Sequence, residues 1–353
     1  MASRLLLTKL APAVRVTFIA RRTITTTIKC LDDQDSKISA KEVPVSAYTS
    51  DPAMNSGETH VLTVDQKSTP IAAPIMDVAK KAFALSKCVA KNMTPTLKKF
   101  TLHDKVAIVT GGARGLGWNM AQALAEVGAK AVAILDYNQE LGDQAAAELH
   151  EQTGIPCNFY KVDIRDGKAI AEVVNNVAAT FGSVDVVINS AGIADSNIKA
   201  EEYDHNKWDN LLAINLTGAF YIAQACGRQM IAQGTGGSII FIASMSGSVV
   251  NYPQEQCCYN ASKAAVIQLG KSLAAEWAHH NIRVNSISPG YMDTALNRFP
   301  ALEGQKKIWI SMTPQNRLGD SDELNNLAVF LASDASSFMT GSNCVIDGGY
   351  TIY

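Results

Sequence analysis

The sequence predicts an α/β fold: a doubly wound parallel β-sheet flanked by helices, in a single domain with an N-terminal extension. Three observations lead there. From Phe100 onward, short β-branched runs alternate with helical stretches, the pattern of strands joined by crossover helices. The strand runs are apolar throughout, as in strands covered on both faces. Glycines cluster where the first strand gives way to a helix, the place where such a sheet holds an anionic ligand. Composition agrees, since 47% hydrophobic residues with only 7% aromatics suits a sheet core of Ala, Val and Ile.

Taken in order, Met1 to Lys29 carries Arg4, Lys9, Arg15, Arg21, Arg22 and Lys29, with no acid before Asp32. Residues 1–30 therefore resemble a mitochondrial transit peptide, with R-R-T-I-T-T-T as the region of cleavage. A mitochondrial location is expected, and a cytoplasmic one if the segment is only an exposed basic tail. Residues 31–99 read as a linker, polar and aperiodic as far as Ile75. From Ile75 to Lys91 apolar positions fall at helical spacing, predicting a short helix docked on the domain or on another subunit. The domain proper spans 100–353. Its predicted strands are Lys105–Thr110, Ala131–Asp136, Cys157–Asp163, Val184–Asn189, Gly237–Ala243, Asn281–Ser288 and Cys344–Asp347. Helices are predicted at Gln139–Gln152, Asp166–Phe181, His205–Ala232 and Tyr259–His279. No internal repeat is present.

A net charge of -2 gives no basic footprint for nucleic acid. No apolar run is long enough to span a membrane. The seven cysteines (Cys30, Cys88, Cys157, Cys226, Cys257, Cys258, Cys344) are odd in number and lack C-x-x-C spacing, which points to reduced thiols. No His/Cys cluster suggests a metal, which argues against zinc-assisted alcohol chemistry.

The chemistry is written in Y-N-A-S-K. A phenol with a pKa near ~10 is a poor base at neutral pH, and an ammonium beside it stabilises the phenolate. Tyr259 and Lys263 at i,i+4 on one helix share a face. Ser244, in I-I-F-I-A-S-M-S-G, supplies a hydroxyl to hold an alcohol or carbonyl oxygen. Tyr259 and Ser244 are thus candidate substrate-binding as well as proton-transfer residues. The hydride carrier's place is K-V-A-I-V-T followed by Gly111-Gly112-Ala113-Arg114-Gly115-Leu116-Gly117 and a helix. Glycines there let backbone N–H groups approach a pyrophosphate, as in a Rossmann-type site, and Asp136 ends the next strand, where an acid meets the adenosine ribose.

With these residues in place, the chain from about residue 100 resembles the short-chain dehydrogenase/reductase family. T-G-G-A-R-G-L-G, opening at Thr110 and Gly111 and including Arg114, Gly115, Leu116 and Gly117, is similar to the family's cofactor loop. Asp163 in K-V-D-I is similar to its adenine-contacting acid. N-S-A-G from Asn189 to Gly192 resembles its N-N-A-G, with Ser190 as a departure. Asn215 in N-L-T-G resembles the asparagine that holds a water of the proton relay. Ser244, Tyr259 and Lys263 match the catalytic trio. Pro289, Gly290 and Thr294 match the P-G-x-x-x-T segment beside the nicotinamide, and V-I-D-G-G (Val345–Gly349) the closing strand. Ser244 lies fifteen residues before Tyr259, where the family usually has thirteen. The M-S-G after Ser244 favours it over Ser246 and implies a two-residue insertion within Val249–Cys258.

The resemblance implies an NAD(P)-dependent oxidoreductase in which Tyr259 moves the proton, Ser244 holds the substrate oxygen, and Lys263 lowers the tyrosine pKa and binds the nicotinamide ribose. It is strongest to the fungal polyol dehydrogenases: D-arabinitol and mannitol dehydrogenases and L-xylulose reductases. The cues are A-S-M-S-G, V-N-Y-P-Q, C-C-Y-N-A-S-K-A and D-G-G-Y-T. D-arabinitol, oxidised to D-xylulose or D-ribulose, is the expected substrate. For the cofactor, Asp136 favours NAD(H), while Arg114 and the resemblance lean to NADP(H). Asn251, Gln254, Glu255 and Gln256 are candidates for a polyol pocket, with Tyr291 to Met312 as a lid. Cys257 and Cys258 read as small packing residues. A 3-oxoacyl-thioester reductase and a catalytically silent nucleotide-binding sensor are the alternatives. Asn210–Met230 and Tyr259–His279 resemble the helices that form the family's homodimers and homotetramers.

Overall fold

The structure, a computed structural model, describes residues 81–294, 297 and 302–352. The leader expected at 1–30 and the linker as far as residue 80 lie outside the described residues.

Seven strands form one sheet among the described residues: β1 (Val106–Thr110), β2 (Ala131–Asp136), β3 (Cys157–Lys161), β4 (Val186–Asn189), β5 (Gly237–Ile242), β6 (Ile282–Pro289) and β7 (Asn343–Ile346). Their order is 3-2-1-4-5-6-7 and every pairing is parallel. The order reverses between β1 and β4, and a doubly wound sheet opens a crevice there at the strands' carboxyl ends. Apolar runs become strands because both faces are covered. Ala107 and Val109 point into one buried cluster, Val106 and Ile108 into the other, the two-residue period of a strand serving two layers.

The helices are α1 (Lys87–Lys91), α2 (Pro95–Lys98), α3 (Gly115–Glu126), α4 (Gln139–Thr153), α5 (Gly167–Phe181), α6 (His205–Leu212), α7 (Ala219–Gln233), α8 (Cys257–Trp277), α9 (Glu303–Met312) and α10 (Asn325–Ala332). Sequence signals set their ends. Asn138, Asp166 and Asp204 accept from backbone N–H groups of the first turns of α4, α5 and α6. Gly154, Gly182 and Gly234 close α4, α5 and α7 in the left-handed region. Trp118, Leu124, Leu149 and Leu331 bring α3, α4 and α10 onto one face; Ile170, Ile222, Met230 and Val266 bring α5, α7 and α8 onto the other.

Three differences from expectation have local causes. The helix predicted over His205–Ala232 is α6, a π turn (Ala213–Gly218) and α7 in succession. Gly218 sits where a Cβ would come within 2.8 Å of the Ile164 carbonyl oxygen, so the turn passes closer to the β3–α5 loop than a side chain allows. In the segment read as a helix over Ile75–Lys91, the described part is helical only at Lys87–Lys91. Ala82 N–H donates to Gln152 Oε1 (3.0 Å) and Leu85 N–H to the Glu126 carbonyl (2.9 Å), so these donors serve the domain rather than a helical turn of their own. Finally, α9 and α10 have no predicted counterpart; α9 forms within the region read as a lid.

Candidate active site

The glycine loop is built around close backbone approach. Gly111 has φ +63° and a Cβ there would lie 2.9 Å from Ala191 Cα. At Gly117 a Cβ would meet the Gly111 carbonyl oxygen at 2.3 Å, so helix α3 can start against the loop only with glycine there. Gly115 has φ +60° and open space where its Cβ would be, leaving the start of α3 accessible to a bulky anion. That cradle fits a dinucleotide pyrophosphate. Leu116 packs against the α3 side core. Thr110 Oγ1 accepts from the Ser190 and Ala191 N–H groups (3.1 Å each) and donates to Asn189 Oδ1 (3.3 Å). Asn189 Nδ2 donates to the Ala219 carbonyl (2.8 Å), so this side chain ties β1, β4 and α7 together.

Asp136 stands at the end of β2, where its carboxylate accepts from Ala113 N–H (3.3 Å) and Asn138 N–H (3.1 Å). Arg114 lies exposed in the adjoining loop. Asp163 lies one strand further out and pairs with Arg165 (2.5 Å), whose hydrogen bonds hold the carboxyl below its ordinary value; Arg165 also donates to Asn210 Oδ1 (2.9 Å). Pro289 ends β6, and Gly290 N–H donates to the Ile346 carbonyl (2.7 Å). A Cβ on Gly290 would fall 2.6 Å from Asp347 Cα, so that glycine is needed for the β6 and β7 ends to meet. Thr294 follows, its N–H donating to the Met292 carbonyl (2.9 Å).

Asn215, Ser244, Tyr259 and Lys263 converge between these groups. Lys263 is buried and donates from Nζ to the Ile242 carbonyl at the end of β5 (2.8 Å); Nζ lies 5.6 Å from the Tyr259 ring centroid. Burial holds its ammonium down to about 8. The same burial raises the Tyr259 phenol, and the facing Ser244 hydroxyl pulls it back down. Desolvation is the larger influence on the phenol, and Ser244 is the group that opposes it. Of the two serines, Ser244 addresses the phenol; Ser246 Oγ lies behind it, accepting from Ser244 (3.0 Å) and from Gln256 Nε2 (3.3 Å). Asn215 sits in the π turn. Its Oδ1 accepts from Ile193 N–H (2.9 Å) and its Nδ2 donates to the Ile193 carbonyl (2.8 Å) and Ser262 Oγ (3.2 Å). Its carboxamide is spent on the loop after β4 and on Ser262.

The polar residues before Tyr259 form a wall, not a solvated loop. Asn251 and Gln256 are 4% and 6% exposed. Gln256 Nε2 donates to Asn251 Oδ1 (2.9 Å), Asn251 Nδ2 to Tyr291 Oη (3.2 Å), and Tyr291 Oη to Gln254 Oε1 (2.7 Å). Glu255 is exposed and contributes its carbonyl, which accepts from Ile198 N–H (3.1 Å). Trp309 of α9 stacks on Tyr291 at 4.3 Å, and Tyr350 meets Tyr291 edge-on at 5.4 Å. The closing D-G-G-Y-T therefore shapes this wall: Asp347 accepts from Gly349 and Thr351 N–H groups and sets the turn carrying Tyr350. Tyr291, Trp309 and Tyr350 were not legible as a group, being far apart in sequence. Cys257 is exposed, while Cys258 is buried with Sγ against the Trp208 carbonyl (3.7 Å). No group of three His, Cys, Asp or Glu side chains suited to a metal occurs among the described residues. None of the described helices is long and apolar enough to cross a membrane.

Comparisons with known proteins agree with this geometry. Residues 111–351 match the family model described as enoyl-(acyl carrier protein) reductase. The chain is 42% identical to sorbose reductase of Schizosaccharomyces pombe (71% of this chain, 97% of that protein). It is 43% identical to NADP-dependent mannitol dehydrogenase of Hypocrea jecorina (72% and 95%). With D-arabinitol 2-dehydrogenase (ribulose-forming) of Candida tropicalis it shares 40% identity (73% and 95%). The crystal structure of NAD+-bound xylitol dehydrogenase superposes with a TM-score of 0.66 at 36% identity, covering 70% of this chain and 99% of that one. Glycine cradle, switch-point crevice and sequence relatives together place the chain in the short-chain dehydrogenase/reductase family of nicotinamide-dependent oxidoreductases.

Proposed function

We propose that the protein interconverts a sugar alcohol and its ketose, D-arabinitol with D-ribulose or D-xylulose, using NADP(H) in preference to NAD(H). The observation that carries the substrate class is the run of amides and hydroxyls, buried at Ser246, Gln256 and Asn251 and half-buried at Tyr291 and Gln254. A hydroxylated chain loses its water on entering a pocket and needs such groups in exchange; an acyl chain does not. The relatives named for mannitol, sorbose and D-arabinitol support the same class.

In this reading a nicotinamide dinucleotide, its pyrophosphate in the Gly111–Gly117 cradle and its nicotinamide beside Pro289, Gly290 and Thr294, would supply the hydride acceptor or donor. The chain's own residues do the rest. Ser244 holds the substrate oxygen and lowers the phenol facing it. Tyr259 takes the alcohol proton in oxidation and returns it in reduction. Lys263, anchored on the Ile242 carbonyl, keeps a positive charge on that side of the phenol and reaches the cofactor ribose. Asn215 fixes the π turn and the loop after β4, so the relay to solvent keeps its shape. Asp163 and Asn189 border the nucleotide, the first beside its adenine, the second as the clasp beneath it.

Arg114 carries the cofactor preference. It is exposed in the loop whose Ala113 N–H donates to Asp136, and its side chain has no hydrogen-bond or ion-pair partner among the described residues, so its guanidinium is available to a 2′-phosphate. Arg114→Ala is expected to lower kcat/KM with NADP about tenfold and to leave NAD little changed. An equal loss with both nucleotides refutes the assignment. The substrate reading is tested by assaying the purified protein with pentitols, hexitols and an acetoacetyl thioester, each with both nucleotides. Turnover of the thioester alone refutes the polyol reading, and no nucleotide reduction with any of these favours the catalytically silent nucleotide-binding sensor.

A further inference from the structure

Two polar atoms on α9 are buried without a hydrogen-bond partner: Gln305 Oε1 and Trp309 Nε1. Buried polar atoms are nearly always satisfied, and those that are not call for an explanation. These two stand four residues apart, on one face of the helix. One is an acceptor and the other a donor.

Both side chains are otherwise fixed, and by the two walls of the site. Gln305 donates from Nε2 to Asn197 Oδ1 (2.7 Å). Asn197 lies on the loop that leaves β4 and carries Ile193, which Asn215 holds. Trp309, 1% exposed, lays its ring flat on Tyr291 (interplanar angle 6°), and Tyr291 opens the polar chain that runs by Asn251 and Gln256 to Ser246 and Ser244. Helix α9 is thus tied at Gln305 to the loop after β4 and at Trp309 to the polar wall. Gln305 holds the helix down by its Nε2 donor and Trp309 by its stacked ring, and each leaves one polar atom unsatisfied.

We propose that Gln305 and Trp309 are specificity-determining residues that read hydroxyl groups away from the reacting carbon: Trp309 Nε1 donates to one and Gln305 Oε1 accepts from another as α9 closes on the substrate. A hydroxyl is donor and acceptor at once, so a polyol carries the chemistry to satisfy both atoms. A plain secondary alcohol or an acyl chain does not, and closing α9 over it leaves both atoms unpaired. This inference rests on the polyol reading and adds to it which residues do the selecting.

The test pairs a substrate change with a residue change. The full-length protein and its Trp309→Phe variant, which keeps an aromatic ring on Tyr291 but lacks the N–H, are assayed with a pentitol, its terminal deoxy analogues and butan-2-ol. A site built to bond a hydroxyl discriminates strongly against the analogue lacking it. The wild type is therefore expected to lose about tenfold or more in kcat/KM when one distal hydroxyl is removed, and Trp309→Phe to lose little more on that same removal. Gln305→Met is expected to behave likewise for a different hydroxyl, and serves where Trp309→Phe folds poorly. If each variant falls by the same factor on pentitol, deoxy analogues and butan-2-ol, the two residues are only structural and the inference is overturned. If wild type turns over butan-2-ol but no polyol, the polyol reading itself has failed, and the inference with it. Wild-type polyol turnover with no penalty for any deoxy analogue overturns the inference alone.

Discussion

Lys263 and Tyr259 are both charged or chargeable groups taken out of water, and burial acts on them in opposite directions. The ammonium is held down to about 8, below the ordinary lysine value near ~10.4. Between those values the unfolded chain keeps a proton that the folded one has lost, so this group makes stability rise with pH across that window. Urea denaturation at pH 8 and pH 10 is expected to show that rise in the wild type, with the Lys263 part of it missing in Lys263→Met. The phenol runs the other way, raised by burial and partly restored by Ser244. Ser244→Ala should push it further up and shift the rising limb of the oxidation rate to higher pH, while Ser246→Ala should not. Tyr259→Phe removes the proton-transfer group and is expected to cost about 10²–10⁴ in kcat. Single-turnover hydride transfer would measure it, and substantial residual turnover would dismiss Tyr259 from that role.

At the scale of elements, the glycine loop offers a sharper test than any one contact. A Cβ at Gly117 would run into the backbone of Gly111 rather than into a flexible side chain. Gly117→Ala is therefore expected to cost about 1–3 kcal/mol of stability through forced backbone movement and to abolish tight nucleotide binding. Thermal melting with and without nucleotide separates the two effects. This loop was plain in the sequence because its chemistry is local: strand, glycines and helix follow one another within a dozen or so residues. The seven strands were legible for a related reason, since burial on both faces leaves apolar runs with no other explanation. The π turn, helix α9 and the Tyr291–Trp309 stack were not. Asn215 sits in a stretch whose periodicity is helical throughout; the extra residue in its turn shows only where Gly218 meets Ile164. Trp309 and Tyr291 are eighteen residues apart, and neither carries a pattern that announces a plane shared with the other. Ser244 could be chosen over Ser246 from the M-S-G after it, but the reason (one hydroxyl faces the phenol, the other the wall) belongs to the fold.

For the molecule as a whole, the segment from Lys81 to Thr101 is a strap rather than a tail. Ala82 is buried, Ala82 and Leu85 donate to Gln152 and Glu126, and the Phe83 N–H faces the Glu126 carboxyl, whose pKa burial raises. Gln152 also accepts from Gln122 Nε2 (3.2 Å), so one side chain fastens the strap to both α3 and α4. Gln152→Ala leaves the Ala82 N–H without its acceptor and is expected to cost about 1–3 kcal/mol, read as a lower melting temperature with unchanged kcat.

The carboxamide of Asn189 has a wider consequence. By joining β1, β4 and α7 at the seam where the strand order turns back, it denies the molecule a hinge. Enzymes made of two lobes breathe about such a seam to admit and release their reactants; here the seam is stitched, and the proposed closure of α9 puts that traffic at the Gln305–Asn197 contact. If that passage sets the pace, turnover will feel the friction of the surrounding liquid: kcat should fall in proportion as sucrose thickens the buffer, and lose that dependence once the Gln305–Asn197 strap is cut.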